Sequence, residues 1–281
     1  MTLTAPAVTF RPMTPQDLAP ALVLSRAVQW PHRAEDWAMN LALSEGLVAE
    51  ADGRIVGTGL MTPHGETAAT CNMIIVDESL RGRGYGRKLM EALLALAGDR
   101  ECRLTATEEG LPLYEKLGFR KTGMVRQQQG QVTGGAPLPG VRPARAEDMP
   151  AIARLDAAAT GMARPALLAA LLEAGALRVF EAPEGITGYM ALRDFGHGKV
   201  LGPVVAADQT LAQGLIGAAV AEASGGFLRI DLPDSGAALQ DMVESLGMRA
   251  AGDGTSMTRP GARPLPQTGP TLYALASQAL L

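Results

Sequence analysis

A chain of 281 residues in which 47% are hydrophobic and 19% are charged has the composition of a globular protein, and this length predicts about two domains. The formal net charge of −4, without a basic block, argues against nucleic-acid binding and leaves small cationic substrates possible. No apolar run is long enough to span a bilayer, and three scattered histidines without a Cys/His pair at ligand spacing give a metal site little support.

The N-terminus has neither the basic start nor the hydrophobic stretch of an export signal. We therefore expect a cytoplasmic protein without a membrane partner. Because that compartment is reducing, Cys71 and Cys102, which fall in predicted strands, should be free thiols.

The first predicted strand opens an internal repeat. The motif Phe10-Arg11-Pro12-x-x-x-x-Asp17-Leu18 recurs as Val141-Arg142-Pro143-x-x-x-x-Asp148-Met149, at an offset of 131 residues. Later blocks keep nearly the same offset, because Gly57 falls on Gly188 and Leu117-Gly118-Phe119 falls on Leu246-Gly247-Met248. The two halves are therefore predicted to be one fold used twice.

The most informative segment, residues 73–90, runs from an apolar strand through a glycine-rich turn into a helix. Glycines allow the backbone to turn tightly and to approach a ligand, so the amide N–H groups of residues 82–87 can point outward together. The helix N-terminus adds positive charge. The turn carries three glycines and three flanking cations: Gly82, Gly84, Gly86, Arg81, Arg87 and Lys88. This arrangement predicts a pyrophosphate site, although such a connection is often only a tight turn.

The spacing Arg81-x-x-Gly84-x-Gly86 matches neither the dinucleotide fingerprint nor the nucleotide-binding P-loop. A second strand-to-helix unit follows, with a strand at 103–107 and then Tyr114-x-x-x-Gly118-Phe119. At this point the chain resembles the GCN5-related N-acetyltransferases (GNAT), whose coenzyme A pyrophosphate loop looks like the first motif and whose second signature looks like the second. The segment from Ala106 to Phe119 is most similar to bacterial tandem-domain members of that superfamily.

The resemblance implies a fold of class α/β (α+β), with two tandem domains that each contain a mixed, mostly antiparallel twisted sheet flanked by helices. It also implies acetyl-CoA as cosubstrate, with its pantetheine arm along the strand before the loop, in a gap between that strand and the strand at 103–107. The cofactor-binding residues are then Ile74, Ile75, Val76, Arg81, Gly82, Arg83, Gly84, Tyr85, Gly86 and Arg87. The backbone N–H near Val76 is the candidate for polarising the thioester oxygen. For Arg81, a surface pairing with Asp77 or Glu78 is the alternative.

The catalytic candidate is Tyr114. A phenol with a pKa of about 10 can protonate a leaving thiolate whose acid has a pKa of roughly 8 to 9. The alternative is a core aromatic on an amphipathic helix, because Leu113 and Leu117 lie on the same helix.

The attacking amine must also lose a proton, and the sequence leaves the base open. Glu108, Glu109 and His64 lie near predicted strand ends, where each fits a solvated loop residue equally well. A further set belongs to a segment that covers the acceptor site in the resembling family: Trp30, His32 and Trp37. Trp37 fits a core role equally well.

The second copy lacks the first copy's loop. At an offset of 129 residues, the loop residues Arg81, Gly82, Gly84 and Gly86 become Thr210, Leu211, Gln213 and Leu215, and Tyr114 becomes Val243. Valine has no proton to give. We therefore expect a degenerate copy that serves packing or substrate enclosure, with the acceptor pocket between the copies.

The domain boundaries follow from composition. The stretch from Arg126 to Gly140 is rich in Gln, Gly and Pro, as linkers are. We place the N-terminal domain at 1–129, the linker at 130–140, the C-terminal domain at 141–259, and a Pro-rich segment with a short C-terminal helix at 260–281. The helix is predicted from the spacing of Leu272, Leu275, Ala276 and Leu280.

These features predict an acetyl-CoA-dependent N-acetyltransferase that moves an acetyl group to a primary amine of a small-molecule acceptor by direct attack, without a metal. Two alternatives stay open: a non-catalytic acyl-CoA-binding regulatory module, and an acyltransferase that uses a longer acyl-CoA. A homodimer is also left open.

Overall fold

The repeated arginine motif builds the same ion-pair node in both halves of the molecule. Arg11 donates to Asp17 at 2.8 and 2.9 Å and to Glu50 at 2.8 Å. In the second half the equivalent arginine, Arg142, donates to Asp148 at 2.7 and 2.9 Å and to Glu181 at 2.6 Å. Each node joins a first strand, the turn after it and the next strand, so the sequence repeat is a structural repeat.

The computed structural model describes residues 8–262 and 265–281. The first half contains strands β1 (Val8–Pro12), β2 (Glu45–Ala51), β3 (Arg54–His64), β4 (Ala68–Val76), β5 (Glu101–Ala106) and β6 (Arg120–Gln131), with helices α1 (Leu18–Ala27), α2 (Ala34–Ala42), α3 (Tyr85–Ala97) and α4 (Leu111–Lys116). The second half contains β7 (Val141–Pro143), β8 (Leu177–Ala182), β9 (Gly185–Phe195), β10 (Gly198–Ala206), β11 (Phe227–Pro233), β12 (Arg249–Arg259) and β13 (Thr271–Ala274), with α5 (Met149–Thr160), α6 (Pro165–Glu173), α7 (Gln209–Glu222) and α8 (Gln240–Ser245).

All of these strands belong to one sheet, in the order β1-β2-β3-β4-β5-β12-β6-β11-β10-β9-β8-β7, with β13 paired to β10. Only β4 with β5 and β10 with β11 run parallel; the other pairs of described strands are antiparallel. The predicted fold class, two tandem units with mixed and mostly antiparallel sheets, is confirmed.

The two halves exchange their last long strands. β12, from the second half, pairs with β5 of the first half over Thr255–Arg259. β6, from the first half, pairs with β11 of the second half over its whole length from Phe227 to Pro233. β6 and β12 also pair with each other. Each half therefore completes the sheet of the other.

Helix packing fixes where the loop before α3 lies. The helix buries one apolar face on the sheet, with Leu89, Met90 and Leu93 fully covered. The repeated glycine of β3 and β9 lies close to the backbone of the next strand: a Cβ at Gly57 would lie 3.2 Å from the Ile75 carbonyl oxygen, and one at Gly188 would lie 3.1 Å from the Val205 oxygen. Such contacts are tighter than an alanine tolerates without movement of its neighbours.

The structure differs from the sequence-based prediction at both connecting segments. Residues 126–131, which the composition places in the linker, belong to β6 and pair with β11. Residues 271–274 form strand β13 and not the predicted C-terminal helix. In both places an extended segment pairs with a strand edge that would otherwise be exposed. At the C-terminus this pairing replaces a short helix, which is unstable by itself. Within residues 8–262 and 265–281, no helix is long and apolar enough to cross a membrane.

Candidate functional site

The loop between β4 and α3 presents a row of free backbone amides. Gly82 and Gly84 adopt φ values of +74° and +81°, in the left-handed region that favours glycine. The amide groups of residues 82–87 donate no hydrogen bond to any described residue. Six consecutive free N–H groups at a helix N-terminus form an anion-binding surface.

Three cations surround these amides without a counter-charge. Arg81, Arg83 and Lys88 are exposed and form no ion pair among the described residues. Arg87 pairs with Glu91 at 2.8 Å along the helix. The proposed alternative partner of Arg81, Asp77, instead accepts hydrogen bonds from Ser79. The surface-pair interpretation of Arg81 with Asp77 or Glu78 is therefore not what the structure contains.

Beside the loop, strands β4 and β5 separate. Their parallel pairing covers only Ala68–Thr70 with Glu101–Arg103, so the rest of β4 faces a gap. The N–H of Asp77 donates to β3 at 2.8 Å. Since successive N–H groups of a strand point to opposite sides, the N–H of Val76 faces the gap. A bulge at Met73, with φ +50°, accompanies the separation. The sequence carries no signal for this bulge, since methionine is not a residue that favours positive φ.

The loop and the gap border a cleft of about 420 Å³. Its walls include seven of the predicted cofactor-binding residues together with the catalytic candidate: Ile74, Ile75, Val76, Arg81, Gly82, Tyr85, Gly86 and Tyr114. The other three predicted residues, Arg83, Gly84 and Arg87, lie in the same loop and first helical turn but do not line the cleft.

A second cavity of about 270 Å³ lies on the other side of Tyr114, between the two halves of the molecule. The first half contributes residues 29–32 and 71–74, and the second half contributes Phe195, Arg229, Ala251 and residues 277–279. The cleft and the cavity share four wall residues: Trp30, Ile74, Thr107 and Tyr114. The two spaces therefore meet along these four residues, of which Tyr114 alone has an ionisable side chain.

Tyr114 is only 8% exposed and packs edge-on against Phe119, with ring centroids 6.0 Å apart. Burial raises the pKa of its hydroxyl, so the group stays protonated at neutral pH. Gly110 gives the ring its room, because a Cβ there would lie 2.7 Å from Cε2 of the tyrosine. Tyr114 is thus a buried aromatic residue that also borders both spaces, and its catalytic role stays a prediction.

Several buried polar atoms on the cavity wall have no partner among the described residues: His32 Nδ1, Asn72 Oδ1 and Thr105 Oγ1. Burial lowers the pKa of His32 to about 4, with a further contribution from the nearby Arg229 cation, so the imidazole is neutral at pH 7. Buried polar atoms without partners are rare in native proteins, and three of the residues that carry such atoms line this one cavity. Asn72, Thr105, Phe195 and Arg229 have no local sequence motif, so the sequence did not single them out as acceptor-site residues.

The other candidate residues from the sequence lie in different places relative to the cleft and the cavity. Trp37 is fully buried in the core beside α1. His64 is 2% exposed, contacts Thr70 at 3.1 Å and has its pKa lowered to about 3 by burial, away from both the cleft and the cavity. Glu108 and Glu109 are exposed, and Glu109 stands on the cleft wall. Among the described residues, no group of three or more His, Cys, Asp or Glu side chains is placed to hold a metal.

In the second half, the gap between the equivalent strands is filled by another strand. β10 and β11 also separate after Leu201, but β13 pairs with β10 over Val204–Ala206 and occupies the gap. The residue after β13 also contacts β11, since the Leu275 amide donates to the Asp231 carbonyl at 2.9 Å.

No loop of free amides precedes helix α7. The helix begins three residues after the last residue of β10, and Asp208 caps it by accepting from the Leu211 amide at 2.8 Å. A carboxylate thus stands where the first half leaves its amides free. At the place of Tyr114 stands Val243, which is fully buried.

Comparison with known proteins finds acetyltransferase relatives for both halves of the chain. Two family models, each described as an acetyltransferase (GNAT) domain, match residues 43–121 and residues 152–274. The protein described as "Uncharacterized N-acetyltransferase YitH", from Bacillus subtilis (strain 168), is 30% identical over 217 residues, which cover 74% of this chain and 75% of the relative. The glucosamine 6-phosphate N-acetyltransferase of Trypanosoma brucei brucei is 36% identical over 77 residues, 24% of this chain and 52% of the relative.

Solved structures share the fold over nearly the whole chain. A protein of Pyrococcus horikoshii, provisionally described as an acetyltransferase, superposes with a TM-score of 0.82 at 18% identity and covers 100% of this chain and 98% of its own. A tandem GNAT protein from the clavulanic acid biosynthesis pathway superposes with a TM-score of 0.64 at 15% identity, covering 90% and 98%. At these identities the likeness shows the fold alone. Together with the sequence relatives and the two matching family models, it establishes that this chain belongs to the GCN5-related N-acetyltransferase family.

Proposed function

We propose that the first half of the molecule binds acetyl-CoA and that the acetyl group moves to a primary amine of a small molecule held in the cavity between the halves. One observation carries this proposal: Tyr114 stands in the wall shared by the cleft, with its free amides, and the cavity, with its unpartnered polar atoms. Donor and acceptor bound in these two spaces would meet at a single proton donor.

Different residues of the first half would bind different parts of acetyl-CoA. The amides of residues 82–87 and the Arg81 guanidinium would hold the pyrophosphate. The free edge of β4 would pair with the amide groups of the pantetheine arm. The N–H of Val76, which faces the gap, would stabilise the negative charge on the thioester oxygen as the amine attacks.

Acetyl-CoA supplies an activated acyl carbon with a thiolate leaving group. The amine nitrogen forms a bond to that carbon, the carbon–sulfur bond breaks, and the sulfur takes the proton of Tyr114. The amine, which attacks as the neutral RNH2, loses one proton to solvent, and the Tyr114 phenolate takes one proton from solvent, so the products are an N-acetylated amine and coenzyme A in its thiol form. No covalent link between acyl group and protein is required.

The second half would bind no acetyl-CoA and would instead form one wall of the acceptor cavity. The occupied gap beside β10, the short connection to α7 and the Asp208 cap support this assignment. A cytoplasmic location, the absence of nucleic-acid and membrane partners, and the oligomeric state stay predictions from the sequence.

Calorimetric titration of acetyl-CoA into the wild type and Gly84→Glu tests the proposal. Glutamate places bulk and negative charge beside the free amides, so we expect binding of one equivalent by the wild type and none by the variant. Gly175→Glu is the matched control, because Gly175 is also exposed, has φ +63° and has open space around its Cβ position, but lies in the second half. It should bind like the wild type.

An assay for free thiol with a panel of primary amines then distinguishes acetyl transfer from non-catalytic binding of acetyl-CoA. Release of coenzyme A that depends on the amine supports transfer. Tight binding without release for any amine would favour a non-catalytic binding module, and a lack of binding by the wild type would contradict the proposal entirely.

A further inference from the structure

We infer that the acceptor is a small amine that also carries an anionic group, a carboxylate or a phosphate, and that Arg229 binds this group. The inference rests on the proposed function, because it names the class of molecule that the acceptor cavity takes. It concerns the second half of the molecule, which contributes no loop of free amides but does contribute a cation to the cavity wall.

Arg229 is placed to bind an anion. It lies on β11, is 6% exposed and lines the 270 Å³ cavity. Its Nε and Nη2 donate to the fully buried Asp231 at 3.0 to 3.1 Å, whereas its Nη1 donates to no described residue. The ion pair with Asp231 fixes the orientation of the guanidinium, and its Nη1 remains available to donate to a ligand. A guanidinium held in this way is well suited to a carboxylate or phosphate oxygen.

Two buried arginines lie beside Phe195. Arg193 and Arg229 both lie over the Phe195 ring, at 5.0 and 5.3 Å from its centroid. Arg229 pairs with Asp231 at 3.0 Å, whereas Arg193 lies 3.5 Å from Asp36, which also pairs with Arg33 at 3.2 Å.

The carboxylate of Asp36 is largely committed to other donors. It accepts from the Arg33 guanidinium at 3.2 Å and from two backbone amides, so Arg193 reaches it only at 3.5 Å. The Nε of Arg193 has no partner among the described residues. A buried positive charge without full compensation is costly, and a bound anion beside Arg229 would reduce that cost.

The first half of the molecule contributes residues with hydrogen-bond acceptors to the cavity wall. The unpartnered Asn72 Oδ1 can only accept, the unpartnered Thr105 Oγ1 can accept, and the neutral His32 ring can accept at its unpartnered Nδ1 in one tautomer. These residues belong to the first half and stand near Ile74 and Tyr114, the shared wall with the cofactor cleft. A ligand whose amine contacts this wall and whose anion contacts Arg229 satisfies both sides at once.

The size of the cavity limits the ligand. A volume of about 270 Å³ lies just below the range of roughly 300 to 1,000 Å³ that is typical of pockets for drug-sized ligands. The cavity therefore suits a small metabolite such as an amino acid or an aminoalkyl phosphate.

The test measures binding separately from turnover. Calorimetry in the presence of coenzyme A would compare ω-amino carboxylates from glycine to 6-aminohexanoate, 2-aminoethyl phosphate, and alkylamines and diaminoalkanes of matched length. We expect the best anionic amine to bind at least about ten-fold more tightly than its matched uncharged-tail amine, as one charge-assisted hydrogen bond would give. Comparing carboxylates with the phosphate shows which anion the site takes.

Two variants assign the preference to Arg229. In Arg229→Gln/Asp231→Asn both buried charges are removed together, so neither is left unpaired, and the ten-fold preference should disappear while acetyl-CoA affinity is kept. Arg229→Lys keeps the charge and should retain part of the preference. A circular-dichroism melt confirms that each variant is folded.

The inference is overturned if the alkylamines or diaminoalkanes bind as tightly as the anionic amines, if no anionic amine binds, or if the preference survives in the folded double variant. Thiol release is scored separately with the same amines. Selective binding without any thiol release would contradict the proposed transfer reaction but would support the assignment of Arg229.

Discussion

Tyr114 belongs to the apolar core and also borders the proposed site. Its ring packs with Phe119 inside the apolar cluster under α3, while its position on α4 places it in the wall between the cleft and the cavity. Gly110 is part of this design, since any larger residue there would push against the ring. Burial keeps the phenol protonated, which is the state that a proton donor needs.

We predict that Tyr114→Phe lowers kcat by about 10²- to 10⁴-fold, the usual contribution of a general acid, while the Kd for acetyl-CoA changes little. The phenylalanine keeps the packing of the ring and removes only the hydroxyl group, and with it the proton. Steady-state thiol release and calorimetry measure the two quantities. Tyr273→Phe, a buried tyrosine on β13 in the second half, is the matched control and should retain kcat. Parallel losses of binding and turnover in Tyr114→Phe would refute the proton-donor role.

At the scale of elements, the sequence predicts what is encoded locally. The glycine spacing of the loop, the Tyr114 helix and the arginine motif of each half are short patterns whose geometry depends on neighbours in the chain. The bulge at Met73 and the polar wall of the cavity are not local. They depend on which strands meet, so neither Met73 nor Arg229 carries a pattern that would distinguish it from an ordinary strand residue.

Strand β13 is the clearest example of an element that depends on distant residues. Its leucine spacing favours a helix, yet the free edge of β10 binds it as a strand. The fit is close: a Cβ at Gly236 would lie 2.1 Å from the carbonyl oxygen of Tyr273. The gap that binds a cofactor arm in the proposed function of the first half is thus closed by the chain itself in the second.

Gly236→Ala should therefore displace β13 and make the C-terminal tail sensitive to protease, with a lower melting temperature. Gly236 has no positive φ, so the backbone accepts alanine and only the contact with Tyr273 is disturbed. Gly217→Ala on α7 is the control, because its Cβ would meet nothing nearer than 3.7 Å and alanine favours a helix. Limited proteolysis followed by mass measurement locates the cleavage. A tail equally protected in both variants would mean that β13 does not depend on this fit.

At the scale of the whole molecule, the exchange of β6 and β12 makes the two halves one folding unit. The sheet of the first half ends on β12, which comes from residues 249–259, and the sheet of the second half ends on β6, which comes from residues 120–131. Neither half can complete its sheet with its own residues. This arrangement also fixes the cavity between the halves, because its walls come from both of them.

We therefore predict that the full chain unfolds in one cooperative transition. Both tryptophans belong to the first half, where Trp37 is fully buried and Trp30 borders the cavity, so their fluorescence reports mainly on that half, whereas far-UV circular dichroism reports on the whole chain. Leu215→Ala, at a fully buried position on α7 of the second half, should destabilise by about 2 to 5 kcal/mol. The midpoints from the two probes should fall together, and Leu89→Ala on α3 should give the same coincidence. If Leu215→Ala lowered only the dichroism midpoint, leaving tryptophan fluorescence at its wild-type midpoint, the halves would be independent despite the shared strands.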